Sequence, residues 1–386
     1  MALQNLNTER NKSLLAVICC ITVVGAGLGL SIPLQATILE RQGIPGWLIG
    51  LNGMMPALAT IISTPFIPRL LRRIPTSSVL LLCIAVAAFC MPLFYLFQNI
   101  WIWFPIRFFY GLALTGLFVI SEFWVSQLAN DNNRGRIIAL YGTILSAGFA
   151  IGPLALLILG TTTALPFVSV AIIILLAGIP ILTAGSLAPK VEESPSGSVL
   201  SFLTLAPAAT LAALVFGMVE TNIFQFLPIF TLRSGLGEQI AAIVLTTFAA
   251  GNMLLQFPIG MLADRMDRRI VLFWCAAFGM TAAAMLPYVS HDIWIFLPVL
   301  FFFGGTVTGL YTVGLTMLGD RFKGADLAAA NSAFIMLYSV GALFSPPIAG
   351  FAIDRWNPAG LSYFLTAICG IYLVVVVIRS WQSRGK

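Results

Sequence analysis

The chain has 386 residues, 59% of them hydrophobic and only 9% charged, with a mean hydropathy of +1.00. No soluble domain could hide that much apolar surface, so much of it must face lipid. The net charge of +6 follows from where the basic residues fall, described below, and gives no reason to expect nucleic acid as a partner.

Met1 to Lys12 is polar and short, and it runs straight into an apolar stretch longer than the core of a cleavable signal peptide. The first helix is therefore expected to be retained. Hydropathy predicts spans near 13–39, 46–68, 76–97, 100–128, 136–159 and 163–187. Each is long enough for a helix to cross about 30 Å of hydrocarbon. The segment Ala188 to Ser201 holds two Pro, one Gly, four Ser and two Glu, and it is the one stretch with linker character. Six more spans follow near 204–231, 238–263, 270–289, 292–318, 327–352 and 359–379. None of these runs alternates in polarity with a period of two, which excludes a membrane β-barrel.

The second six spans repeat the first. Gly111, Thr115-Gly116-Leu117, Gly148 and Gly152-Pro153 are matched 193 positions later by Gly304, Thr308-Gly309-Leu310, Gly341 and Ser345-Pro346. Pro33 and Pro228, and the basic turns at Arg69 and Arg265, sit two or three positions further apart. A membrane chain that tells itself twice is the signature of a secondary transporter. The expected architecture is an all-α membrane protein of twelve transmembrane helices in two pseudo-symmetric six-helix bundles. Residues 1–187 form one bundle, 188–203 a cytoplasmic linker and 204–386 the other.

Lys and Arg set the orientation. With the N-terminus inside, sixteen of the twenty basic residues fall in cytoplasmic segments, while the outer loops keep Arg41, Arg233 and Arg355 and one span holds Arg107. That bias predicts both termini in the cytoplasm, in the inner (plasma) membrane of a bacterium. Trp101, Trp103, Trp294 and Trp356 fall at predicted outer edges and read as interfacial anchors. The six cysteines all fall inside spans, form no CxxC pair and read as packing residues.

Several short motifs carry a family resemblance. Gly260-Met-Leu-Ala-Asp264-Arg265-Met-Asp267-Arg268-Arg269 resembles the GxxxDRxxRR loop of the major facilitator superfamily. The matching first-half turn keeps Arg69, Arg72 and Arg73 but has Pro68 where the acid belongs. Arg107-Phe-Phe-Tyr110-Gly111 is similar to that family's RxxxG motif, and Gly148 through Pro153 to its GxxxGP motif. Glu122-Phe-Trp124, Arg134-Gly135-Arg136, Ala139-Leu140-Tyr141, Glu220 and Leu227-Pro228 resemble its YcaD-like branch. The resemblance implies two lobes rocking about a central cavity. It also implies a cytoplasmic gate of Asp264, Arg265, Arg268 and Arg269, with Glu122 and Arg134 nearby. The other reading of Asp264 and Arg265 is a solvated turn that obeys the charge bias. Gly148, Gly152 and Pro153 read either as close helix packing or as a flexible helix at the interface between halves.

Three ionisable residues fall inside spans, where a charge is costly enough to mark a candidate site. Glu220 lies nearest the bilayer centre. It reads as a proton or substrate group, or as half of a static pair. Thr221, Asn222 and Gln225 add a polar patch before Pro228. Arg107 would hold an anionic group on the cargo or pair with Glu220. Glu122, nearer the cytoplasm, suits a network with Arg134, Arg136 or the Arg69 turn, or else cargo binding. Gln35, Asn52, Tyr110, Thr115, Asn252, Tyr311, Asn331 and Tyr338 are softer cavity candidates.

No phosphate-binding GxxxxGK[ST] loop, no serine elbow and no cluster of metal-ligating side chains is visible, so neither an ATP-driven pump nor an enzyme is expected. Neither a cofactor nor a metal is called for. The expected partners are a small-molecule substrate, protons and the lipid bilayer, with the chain working as a monomer. The expected function is secondary active transport, by alternating access, of a small amphipathic or charged organic molecule, coupled to protons. A lipid or lysolipid flippase on the same fold, and a sensor or assembly factor that no longer transports, are the alternatives.

Overall fold

A computed structural model describes residues 2–128, 134–184, 187, 207–322 and 324–384. Among them, twelve helices or helix pairs are long and apolar enough to cross a membrane, from Asn11–Arg41 to Gly360–Ile378. They occur where hydropathy puts them. The helices are α1 (Ala2–Arg41), α2 (Gly46–Gly53), α3 (Met55–Ser63), α4 (Ile67–Leu71), α5 (Thr76–Leu96), α6 (Ile100–Leu128), α7 (Arg134–Leu159), α8 (Leu165–Leu176) and α9 (Gly178–Ala184). Then come α10 (Pro207–Arg233), α11 (Glu238–Arg265), α12 (Arg268–Val289), α13 (Ile293–Arg321), α14 (Gly324–Arg355) and α15 (Gly360–Arg384). The predicted linker, 188–203, lies outside the described residues.

Local chemistry explains the breaks. The second span is two helices, α2 and α3, interrupted at Met54 just before Pro56. Proline has no N–H to donate and crowds the preceding turn, so an interruption there is expected. α1 ends on Gly43 at φ 69° and α10 on Gly235 at φ 80°. In both cases the glycine takes the left-handed conformation that side chains disfavour. The bonds match as well: Gly43 N–H to Glu40 O and Ile44 N–H to Leu39 O, against Gly235 N–H to Leu232 O and Leu236 N–H to Thr231 O. Asp267 caps α12 by accepting from the Arg269 N–H at 2.9 Å, and Asp292 caps α13 by accepting from Trp294 N–H at 2.9 Å.

Packing divides the chain into two units, residues 1–34 with 55–194, and residues 35–54 with 195–386. The seams fall beside Pro33 in α1 and at the α2–α3 interruption. Segment 35–54 joins the second unit because α2 lies directly on α14. A Cβ on Gly50 would strike the backbone of Pro346 and Pro347, and one on Gly350 the backbone of Gly46.

The repeat is also a repeat of contacts, each made within one unit. A Cβ on Gly25 would meet the Leu145 carbonyl, and one on Gly217 would meet the Tyr338 carbonyl. Added to Gly116 it would lie 2.6 Å from Cys83 Sγ, and on Gly309 it would lie 2.6 Å from Cys275 Sγ. Gly111 presses on Pro56, and Gly304 on Phe248. These pairs fix the register. Spans four and five map onto ten and eleven at 193 positions, as expected, but spans one to three map onto seven to nine at 192. Pro33 and Pro228 are therefore not equivalent positions, and Arg41-Gln42-Gly43 and Arg233-Ser234-Gly235 are.

One anchor differs from expectation. Trp103 is 0% exposed and its indole N–H donates to Phe97 O at 2.6 Å, whereas Trp101, Trp294 and Trp356 are exposed. Trp103 packs edge-on against Phe94, ring centroids 5.3 Å apart, so the first unit's core claims it.

Candidate functional site

α10 is the most enclosed of the twelve spans, with 78% of its most apolar window buried. Glu220 sits at its middle, the fourteenth of 27 helical residues. Phe216, Glu220 and Phe224 recur every four residues and so share one face of the helix. That face meets three other helices of the second unit. Tyr338 of α14 donates its hydroxyl to Glu220 Oε2 at 2.8 Å, and the Asn252 side chain of α11 also hydrogen-bonds the carboxyl. Tyr311 of α13 closes the group, its ring centroid 5.0 Å from that of Phe216. The Phe216 and Tyr338 rings are 5.7 Å apart, and Tyr311 and Phe334 5.1 Å. Glu220, Tyr311 and Tyr338 are all half-buried. A carboxyl at mid-helix with a partly open surface is costly against lipid, so that surface suits a polar internal space.

The rest of the polar patch on α10 faces elsewhere. The Asn222 amide donates to Ser345 Oγ at 2.7 Å and to Met218 O at 2.6 Å. Its Oδ1 is fully buried and accepts no hydrogen bond from the described residues. Gln225 donates to Ile49 O of α2 at 3.3 Å. Gln35 is 1% exposed, and its amide nitrogen makes no hydrogen bond among the described residues. Of the predicted site residues, the structure thus brings Glu220 and Tyr311 into one group, and holds Asn222 and Gln225 in separate contacts with α14 and α2.

In the first unit, Arg107 is 1% exposed on the face of α6 that also carries the buried Trp103 and Tyr110. Phe94 meets the Tyr110 ring edge-on at 6.2 Å. The Tyr110 hydroxyl reaches α1, since a Cβ on Gly27 would lie 2.9 Å from it. Thr115 bonds Thr60 of α3 at 2.7 Å, Oγ1 to Oγ1. Arg107 is enclosed where Glu220 is half open.

At the helix ends expected to face the cytoplasm, Asp264 and Arg265 are exposed, and neither forms an ion pair among the described residues. Arg268 bonds Thr316 O at 2.9 Å and pairs with Asp320, tying α12 to the end of α13. Arg269 is exposed, as is Glu122, whose backbone carbonyl accepts from Ser126 Oγ at 2.8 Å. Arg134 opens α7, but its side chain lies outside the described residues.

The opposite helix ends hold a charge cluster that hydropathy and motif reading passed over. Arg233 grips Glu40 with two bonds, Nε to Oε1 at 2.7 Å and Nη2 to Oε2 at 2.9 Å, and reaches Asp354 at 3.1 Å. Asp354 also accepts from the Trp47 N–H at 3.1 Å. Arg41 pairs with Glu238. The cluster joins the ends of α1, α2, α10, α11 and α14 inside the second unit. A signal was present: Arg41 and Arg233, two of the few basic residues on that side, each precede a helix-ending glycine by two positions.

Comparison with known proteins places these features in company. The sequence model of the Major Facilitator Superfamily matches residues 17–242 and again 209–385. The uncharacterized MFS-type transporter YfkF of Bacillus subtilis (strain 168) is 25% identical over 381 residues, covering 95% of this chain and 96% of that protein. The uncharacterized MFS-type transporter YcaD of Escherichia fergusonii is 25% identical over 373 residues, covering 94% of each. Among solved structures, a bacterial homolog of the human lysosomal transporter Spinster, inward-facing and unoccupied, superposes with a TM-score of 0.76 at 15% identity, covering 95% of each chain. The nucleoside transporter NupG gives 0.75 at 14% identity, covering 96% of this chain and 98% of its own.

Proposed function

The chain belongs to the major facilitator superfamily, and from that premise we propose that it is a proton-coupled secondary transporter of a small amphipathic or charged organic molecule. One observation carries the reading: a carboxyl at the centre of the most enclosed span, half-buried, held by a tyrosine hydroxyl and an amide. A carboxyl can carry a proton or give it up, and the two donors hold this one in place. Its hydrogen-bond partners among the described residues, Tyr338 and Asn252, carry no fixed charge.

Glu220 takes up a proton on one side of the membrane and releases it on the other. The substrate binds the same face of the second bundle. Two six-helix bundles, 1–187 and 204–386, rock about the site to expose it alternately. Asp264 and Arg265 latch the cytoplasmic side in the state that opens outward. The orientation is both termini inward, in a bacterial plasma membrane, with a monomer as the working unit.

The test is flux in proteoliposomes under an imposed pH gradient, across a panel of amphipathic cations and organic anions. The reading expects a panel member whose flux collapses when the gradient is dissipated. Flux of every substrate indifferent to the gradient removes proton coupling, and binding without flux favours a sensor.

A further inference from the structure

We infer that the group around Glu220 is a binding site for an organic cation with an apolar or aromatic face. The inference rests on the transporter reading and names the substrate class of the same site. It starts from a missing partner: among the described residues no basic side chain pairs with Glu220. The acids that do meet an arginine among the described residues, Glu40, Glu238, Asp320 and Asp354, all do so at helix ends. Glu220 lies instead at mid-span, where an unbalanced charge is hardest to keep. A proton removes that charge in one half of the cycle. A cationic ligand balances it in the other.

The surroundings select the kind of cation. Phe216 lies one turn from Glu220, and its ring approaches both Tyr311 and Tyr338 within 6 Å, centroid to centroid. Tyr338 offers its ring to that cluster while its hydroxyl donates to the carboxylate. Ring faces carry negative charge density and attract cations, most strongly where water is scarce. A compact, strongly hydrated ion would gain little from these rings, whereas an organic cation can lay its apolar body on the half-buried Tyr311 and Tyr338 rings, which the buried Phe216 backs, and point its charge at Glu220. An anion would meet a carboxylate and ring faces of its own sign. Arg107, the basic residue inside a span of the first unit, is 1% exposed.

The first unit is a built-in control. At the positions matching Phe216, Glu220, Asn252, Tyr311 and Tyr338 it holds Val24, Leu28, Thr60, Phe118 and Leu145. One aromatic ring and no charge remain, so only the second unit carries the site.

The experiment is equilibrium binding to the purified full-length chain of two probes equal in shape and opposite in charge, tetraphenylphosphonium and tetraphenylborate. The inference expects the cation to bind at least about tenfold more tightly than the anion. Glu220→Gln should weaken the cation by about tenfold or more, Glu220→Asp should retain most of the binding, and Phe216→Leu and Tyr311→Leu should each cost about three- to tenfold. The wild-type preference between probes needs no variant, so a variant that fails to fold does not shield the idea. Equal binding of both probes, or a folded Glu220→Gln that holds the cation as wild type does, overturns it. Proton-driven flux of an anion or a neutral compound through a chain that ignores the phosphonium would retire the cation and leave the transporter standing. Absence of any gradient-driven flux, with the phosphonium still bound, would do the reverse.

Discussion

Where the second copy of the repeat holds Glu220, Asn252, Tyr311 and Tyr338, the first holds Leu28, Thr60, Phe118 and Leu145. Where the first holds Arg107 and Tyr110, the second holds Leu300 and Phe303. The scaffold contacts around these positions are nonetheless the same in both copies: glycine against a carbonyl in one helix pair, glycine against cysteine sulfur in another. The packing positions of the two copies have stayed alike while their polar positions have diverged. Close backbone approach tolerates only glycine, so those positions are constrained twice over. A half-open mid-span position is constrained only by the ligand it meets, and there one copy can carry the chemistry alone.

The comparison can be broken most forcefully at Glu220. Glu220→Gln should lower gradient-driven flux by about a hundredfold or more, the scale expected when a proton-transfer group is removed. Glu122→Gln should leave most of the flux, since Glu122 is exposed and near a helix end. Comparable losses in both would make the acid at mid-span unexceptional. Next in size is the charge cluster of the second unit. Arg233→Gln strips Glu40 and Asp354 of a shared partner at side-chain exposures of 15% to 26%. Hydrogen bonds to charged groups are worth about 2 kcal/mol, so the melting temperature of the purified protein should fall clearly. Arg41→Gln, whose pair with Glu238 is about one-third exposed, should cost less than about 1 kcal/mol. Equal shifts in melting temperature would contradict the ranking. Smaller still is Tyr338→Phe, which keeps the ring but removes the 2.8 Å bond to Glu220. A single bond of this kind is worth about 1 kcal/mol, so flux should drop by roughly fivefold. No change would mean that the hydroxyl does not tune the carboxyl.

The fold was readable because membrane helices write themselves in hydropathy: the bilayer demands about 20 apolar residues per crossing, and nothing else in the chain competes with that signal. The glycines at 116, 148, 309 and 341 disclosed the repeat, because close helix contact leaves small residues at fixed spacing. The register of the first three spans is harder to read, because Pro33 and Pro228 look equivalent and only the glycine contacts and the helix ends at Gly43 and Gly235 show that they are not. Glu220 was legible as the rare acid in a lipid-length run. Its partners were less so. Tyr338 and Asn252 lie 118 and 32 positions away, and each alone resembles ordinary interhelical polar contact. The Arg233 cluster was hidden for the same reason, being assembled from five helix ends that hydropathy treats as loop.

The account turns on one carboxyl, and pH-gradient-driven flux through reconstituted wild type and Glu220→Gln at matched protein density tests it most directly. The account predicts flux of a panel compound that follows the gradient in wild type and is lost in a folded Glu220→Gln. Gradient-driven flux that persists undiminished in that variant would contradict it.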